Sequence, residues 1–283
     1  MRRRGLLTVV TTMLATLLAS MAIAADRLLL PAVDGDEVLT ILLLGSDEGP
    51  PRDADVRTGR ADGIQLLFVS GDRQHATFIS IPRDSWINVP GRGTTRINAC
   101  LNKGPQRCVE TVEAEFGIDV DAYFLTSMRG FANAIKRFGG ITVDVPTPVR
   151  DGGHPIDETG VQELTGLQAL AYARDRKNRP GGDFGRSQAQ AELLAIAHQD
   201  VVADGSSFRV LEAVSILRRH ALTDIPPTQV VRLAFEAMHL PPGNIQRELA
   251  PARLGFAGAA SVAFLEPKAY DLVRDAAKDA RIG

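Results

Sequence analysis

The chain has 283 residues, with 32 Lys and Arg against 34 Asp and Glu and a formal net charge of −2. This balance excludes a general nucleic-acid binder, which carries a basic surplus. The length can bury one large core or two small ones, and no internal repeat, heptad pattern or low-complexity tract argues for a fibrous or disordered chain.

Met-Arg-Arg-Arg opens the chain, and residues 5–25 carry no charge. An uncharged run of that length can span a bilayer core as a helix. The preceding arginines place the N-terminus in the cytoplasm and everything after Asp26 outside. An uncleaved signal anchor is therefore expected over 1–25, a linker over 26–38 and one extracytoplasmic domain over 39–283. A cleaved signal peptide is the competing reading, since Ala-Ser-Met-Ala-Ile-Ala-Ala before Asp26 offers small residues to a peptidase. Both place the folded part outside the cytoplasm, and the first makes the protein a single-pass component of the cell membrane.

Leu39–Leu44 is a continuous apolar run and reads as a buried strand. Ile64–Val69 and Ala76–Ile81 are two more, joined through the turn signal Ser70-Gly71-Asp72-Arg73. So tight a connection makes that pair antiparallel. Arg60 and Asp62 then fall beside Arg83 and Asp84 at one sheet edge, and Asp47 joins them if the first strand is antiparallel to the second. Cys100 and Cys108 follow. Two nearby cysteines in an exported chain suggest a disulfide.

Val109, Val112 and Phe116 have helical spacing. Ser127 can cap a helix with Phe131, Ile135 and Phe138 on one face, ended by Gly139-Gly140. Ile141–Val145 reads as a strand, and Leu164–Ala173 as a short helix. From Arg174 to Arg186 the chain holds Arg174, Arg176, Lys177, Arg179 and Arg186 against Asp175 and Asp183. Pro180-Gly181-Gly182 breaks any helix there, so the arginines sit on a loop. Most charge runs of this kind are solvated surface. Guanidinium groups on a Gly-rich loop nevertheless suit phosphate or pyrophosphate, because the planar fork pairs two oxygens at once. A long helix follows, with Asp183 a candidate cap and Arg186 in its first turn. Positive charge there opposes the helix dipole, and a bound phosphate would relieve the conflict. Helices near 208–219 and 227–237, strands near 247–256 and 261–264 and a helix near 267–280 complete the chain. The mixture reads as α/β or α+β, one domain with a central mixed sheet and helices on both faces.

Asp47 and Asp62, carboxylates at strand ends beside arginines, suit a divalent cation, with magnesium the natural choice. Arg60, Arg83, Arg174, Arg176 and Arg186 would share the phosphate charge. The histidines at 75, 154, 198, 220 and 239 are scattered, and His198, His220 and His239 read as structural. No Gly-x-Ser-x-Gly, Ser-x-x-Lys, His-Glu-x-x-His or Walker motif is present.

Seven segments in order resemble the LytR-CpsA-Psr family. They are Ile41-Leu-Leu-Leu-Gly-Ser-Asp47, Arg60-Ala-Asp62, Ile79-Ser-Ile-Pro-Arg-Asp84, Arg96-Ile-Asn-Ala99, Gly139-Gly-Ile-Thr-Val-Asp-Val-Pro146, Leu164-Thr-Gly-Leu-Gln-Ala-Leu-Ala-Tyr-Ala-Arg174 and Gly182-Asp-Phe-Gly-Arg186. The resemblance implies a membrane-anchored, magnesium-dependent phosphotransferase. It would move a glycopolymer from a polyprenyl-pyrophosphate carrier to a peptidoglycan acceptor, and would hold the prenyl chain in an apolar groove. Carried over, Asp47 and Asp62 would hold the metal, the five arginines would bind pyrophosphate, and Asp183 would orient arginines or assist the incoming hydroxyl. Asp84 reads as a structural partner of an arginine. Ala61 and Gly63 stand where the family often has Thr or Ser, and Arg96 where it often has Lys. Phe116, Phe131, Ile135 and Phe138 are expected to wall an apolar cavity reaching from the arginines. A non-catalytic envelope regulator that binds prenyl-linked polymer, and a pyrophosphatase of the same fold, are the alternatives.

Overall fold

The computed structural model describes residues 37–47, 59–150, 153–179 and 181–283. The expected membrane segment 1–25 and most of the linker lie outside the described residues. Among the described residues no helix is long and apolar enough to cross a membrane.

The chain enters through β1 (Leu39–Ser46), β2 (Ala61–Val69) and β3 (Ala76–Ser80), then a small hairpin of β4 (Trp86–Val89) and β5 (Gly93–Arg96). A 3-10 turn, Ile97–Lys103, leads to α1 (Pro105–Phe116), β6 (Ala122–Ser127) and α2 (Met128–Phe138). Next come β7 (Ile141–Val145), β8 (Gly160–Leu164), α3 (Gly166–Arg174), α4 (Asp183–Asp204) and α5 (Ser207–His220). The chain ends with β9 (Ala221–Thr223), α6 (Pro227–Ala237), β10 (Ile245–Leu249), β11 (Ala252–Ala257), β12 (Ala260–Leu265) and α7 (Pro267–Asp279).

The central sheet has the order β10-β3-β2-β1-β6-β9. β1 is antiparallel to β2 and parallel to β6, and β3 is antiparallel to β2 and parallel to β10. The sheet is therefore mixed. Alternation along β1 and β2 sends Leu42, Leu44, Leu66 and Phe68 to one face, where they join Leu101, Val112 and Phe116 from the α1 side and Val273 and Ala276 from α7. Ile41 and Leu67 turn the other way, beside His198 of α4 and Leu233 of α6. Helices thus cover both faces.

Local signals explain most helix ends. Ser127 caps α2, its Oγ accepting from the Gly130 amide at 3.0 Å, and Gly139 ends the helix in the left-handed region at φ 94°. Thr165 and Gln168 form a reciprocal capping box on α3. Cys100 and Cys108 are disulfide-bonded and lie in the core between the 3-10 turn and α1.

Several elements differ from expectation. β7 does not enter the central sheet; it pairs only with β8, over the small core of Val143, Val145 and Leu164. Leu164 ends that strand, and α3 begins at Gly166. The strand expected over 247–256 is two, parted at Ala250-Pro251, because proline cannot donate to the ladder of a central strand. Gly182, not Asp183, occupies the cap position of α4, and no side chain caps it. The central strand β6 was not read in the sequence, being short and half polar.

Candidate functional site

The site begins at an irregularity in β2. Gly45 pairs with Gly63, and Ser46 pairs with Ala61, so Asp62 is an extra residue on its strand. A bulge of this kind re-aims a side chain that strict alternation would send elsewhere. The Asp62 carboxylate meets the Arg83 guanidinium, Nη1 to Oδ1 at 2.5 Å. Arg83 follows Pro82 at the end of β3, and its carbonyl accepts from the Asn98 amide at 3.1 Å. Arg83 also lies 3.8 Å from Asp84, which Arg96 approaches at 3.4 Å. Asp84 is thus the structural partner expected.

The arginine loop comes back over this edge from the other side. Arg83, Arg174, Arg176 and Arg186 line one pocket of about 230 Å³ with Asp62, Met128, His154, Leu170 and Gln190. Four arginines share that space with one aspartate. Arg186 is only 5 % exposed. Its Nη1 lies 3.3 Å from Asp183 Oδ1, while its Nε and Nη2 are buried with no hydrogen-bond partner among the described residues. Burial, and next the Arg83 charge, pull the Arg186 pKa below its ordinary value. Burial opposes the charge on Arg83 as well, but Asp62 outweighs it and the pKa is raised. Burial likewise pushes the Asp84 carboxyl up. A buried guanidinium with free N–H groups is costly, and an anion in the pocket would satisfy it.

The start of α4 cannot drift from this position. Gln65 Nε2 donates to the Ser187 carbonyl at 3.0 Å, and the Ser80 hydroxyl shares its one proton between Gln65 Oε1 at 2.8 Å and the same carbonyl at 3.2 Å. Gln190 Nε2 donates to the Ala173 carbonyl at 3.2 Å, tying α4 to α3. Arg179 stacks 4.2 Å over the Tyr172 ring, whose hydroxyl donates to Glu192.

A second cavity, about 340 Å³ and almost wholly apolar, adjoins the first. Leu43 and Gln65 form its floor. Phe124 of β6, Met128 and Phe131 of α2, Leu170 and Ala173 of α3, Leu194 of α4 and Leu217 of α5 form its walls. Met128, Leu170, Arg174 and Gln190 belong to both cavities, so Arg174 stands at the seam between charge and hydrocarbon.

Of the residues expected at the site, Asp62, Arg83, Arg174, Arg176 and Arg186 are brought together, with Asp183 on Arg186. Arg60 and Asp47 are not among the residues lining the pocket. They hold each other through the backbone at the mouth of the β1–β2 pair: the Arg60 amide donates to Asp47 Oδ1 at 2.6 Å, and the Asp47 amide to the Arg60 carbonyl at 3.1 Å. Phe131 lines the apolar cavity as expected. Phe116 and Ile135 are core residues instead, and Phe138 stacks under Arg209. The sequence reading missed His154, Gln190 and Leu194. Gln190 and Leu194 follow Arg186 at helical spacing, which is the signal that could have found them.

Among the described residues no group of three or more His, Cys, Asp or Glu side chains is gathered as a metal site. The donors available are the carboxylates of Asp62 and Asp47. Of the two only Asp62 lines the pocket, where it is paired with Arg83, and one carboxylate together with water and substrate phosphate is a donor set that magnesium accepts.

The LytR_cpsA_psr family model matches residues 19–278. The chain is 34 % identical over 196 residues to the polyisoprenyl-teichoic acid–peptidoglycan teichoic acid transferase TagU of Oceanobacillus iheyensis, covering 67 % of this chain and 59 % of that one. It is 31 % identical over 204 residues to the TagU of Bacillus anthracis, covering 70 % and 64 %. The match thus spans about three-fifths of the length of these relatives. Among solved structures, B. subtilis TagV superposes with a TM-score of 0.75 at 25 % identity, over 86 % of this chain and 96 % of the other. A structure of TagT bound to LI-WTA shares the fold, with a TM-score of 0.69 at 21 % identity over 89 % and 93 %. With its seven motifs, its fold and its family match in agreement, this chain belongs to the LytR_cpsA_psr family.

Proposed function

We propose that the protein transfers a glycopolymer from a polyprenyl-pyrophosphate carrier to peptidoglycan. One observation carries the reading: an apolar cavity opens through Arg174 into a pocket of four arginines, one of them buried with unsatisfied N–H groups. A ligand matching both halves has a long hydrocarbon tail and a compact, doubly charged head. The relatives are named polyisoprenyl-teichoic acid–peptidoglycan teichoic acid transferases, and a polyisoprenyl chain supplies such a tail.

In this reading the prenyl chain lies against Leu43, Phe131, Leu170 and Leu194, where each buried methylene contributes about 0.8 kcal/mol. Arg83, Arg174, Arg176 and Arg186 hold the pyrophosphate, and Arg60 meets its phosphates from the rim. The acceptor hydroxyl oxygen attacks the phosphorus that bears the glycan. The bond from that phosphorus to the bridging oxygen breaks, polyprenyl monophosphate leaves, and a phosphodiester joins glycan to acceptor. Asp183 keeps Arg186 in place and takes the hydroxyl proton. Magnesium, held by Asp62 and Asp47, would offset charge on the leaving phosphate. The arginines are fixed before the reaction, so they stabilise developing charge without reorganisation. An N-terminal anchor would keep the site at the membrane, where the carrier lipid resides.

The test is incubation of the full chain with a lipid-pyrophosphate glycan and peptidoglycan oligomers, with products read by mass. A glycan–phosphate–peptidoglycan product supports the reading. Free phosphorylated glycan alone marks a pyrophosphatase, and binding without turnover marks a regulator.

A further inference from the structure

α2 and α5 lie side by side and antiparallel. At one end Arg209 Nη2 of α5 donates to the Phe138 carbonyl of α2 at 3.0 Å, and its guanidinium stacks 4.9 Å from the Phe138 ring. At the other end a methyl group on Gly130 would meet the His220 carbonyl at 2.7 Å, so only glycine allows the approach. The inner side of the pair walls the apolar cavity through Met128, Phe131 and Leu217.

The outer side has an unusual composition. Phe208 is 77 % exposed and Leu211 49 % exposed, one helical turn apart on α5. Arg218 and Arg219 continue that face toward its C-terminus, while α2 exposes Arg129, Lys136 and Arg137. α2 has no acidic residue, and the single one on α5, Glu212, is paired with Arg209 at 2.8 Å. Glu212, Asp200 and Asp204 act on Arg209 at one end of α5, while Arg129, Lys136, Arg137, Arg218 and Arg219 have no ion pair among the described residues. A globular surface gains nothing from exposing Phe208, and repulsion among the cations costs energy in water. Both features are favourable where apolar side chains enter a headgroup layer and cations meet anionic lipid.

We propose that the α2–α5 face docks on the surface of an anionic phospholipid bilayer. Charge complementarity selects this occupant, as does the cavity that the same two helices enclose. The inference rests in part on the reading above that the cavity receives a lipid tail. With this face on the bilayer, the tail would pass between headgroups and cavity without crossing open water.

The test uses the full chain with vesicles of brominated phosphatidylglycerol and phosphatidylcholine, and needs no catalytic turnover. Phe208→Trp places a reporter on the face, Asp271→Trp on α7 is the control, and the native Trp86 supplies a constant background. The Phe208→Trp emission is expected to fall by about half in brominated vesicles, as for a side chain at the acyl boundary. The control and the wild type are expected to stay unquenched. The quadruple change Lys136→Glu, Arg137→Glu, Arg218→Glu and Arg219→Glu should remove the quenching, as should pure phosphatidylcholine. Quenching of Phe208→Trp no greater than wild type overturns the proposal, and so does quenching that ignores lipid charge. If the reporter is silent in vesicles but its emission shifts with soluble poly(glycerol phosphate), the face takes a polyanion and the bilayer assignment is wrong. Loss of docking with transfer intact in detergent would leave the transferase reading standing.

Discussion

The two faces of the central sheet are built to opposite ends. Against α1 and α7 the side chains of β1 and β2 close into one continuous core, stapled by Cys100–Cys108. Against α2, α3, α4 and α5 the packing divides into smaller clusters and leaves the apolar cavity and the arginine pocket between them. The cavity and the buried Arg186 guanidinium lie on one side of the strands, while the other side closes as one continuous apolar core. Stability and ligand binding are thereby assigned to different faces of the same strands.

That division can be broken most sharply at Arg186. Arg186→Met should lower transfer at least about 100-fold, the scale for losing a fixed charge-stabilising donor. The ligand-free thermal midpoint should hold or rise, because unsatisfied buried N–H groups are removed. A clear drop in the midpoint with transfer preserved would assign Arg186 to the fold. Asp62→Asn should abolish transfer, a loss of several kcal/mol of transition-state stabilisation, and should also lower the thermal midpoint, because the half-buried Arg83 guanidinium loses its close carboxylate. Pyrophosphate affinity should fall less, since the arginines remain. Wild-type protein that works fully in excess chelator would refute the magnesium reading and leave the arginines alone with the charge.

The complement lies on the filled face. Leu101→Ala should cost about 2–5 kcal/mol by urea unfolding, with kcat/KM of the folded fraction unchanged. A matching loss of kcat/KM would show that the faces are coupled. On the open face, a methyl group on Gly166 would stand 2.0 Å from the Ala132 carbonyl. Gly166→Ala should therefore wedge α3 from α2 at a cost of about 1–3 kcal/mol, and should weaken lipid binding more than Leu101→Ala does. The smallest effect is at high pH. Burial, and then the bond at 2.6 Å to Glu115, push the Tyr270 hydroxyl up to about 12. The neutral form is favoured in the fold, so its contribution is complete below pH 10, the ordinary tyrosine range, and fades as pH rises toward 12. Tyr270→Phe should flatten that part of the stability profile.

The meeting of Asp62 and Arg83 was legible in the sequence, because a tight turn between β2 and β3 fixes strand direction and direction fixes which ends meet, while Arg174 and Arg186 were legible as an arginine loop suited to phosphate. The identities of the cavity walls were only partly so. Periodicity tells which helix face is buried, but not whether a buried side chain meets a partner or a void. Phe131 faces the cavity while Ile135, one turn on, is packed into core. The bulge at Asp62 was hidden for another reason. It arises from pairing register, and its one cue, the Asp62-Gly63 dipeptide in β2, reads equally as the start of a strand. β6 escaped because Ala122–Ser127 alternates weakly, its burial supplied by neighbours on both sides.

The Ser187 carbonyl, shared by Gln65 and Ser80, has a kinetic consequence. The first turn of α4 moves only if the central strands move with it, so Arg186 cannot swing aside to release a product. The spent carrier must therefore leave past a guanidinium that keeps its place. Native-state hydrogen exchange should find the α4 amides just beyond Arg186 among the slowest in the protein. Arg186 is then already in register for the next carrier as the spent one departs.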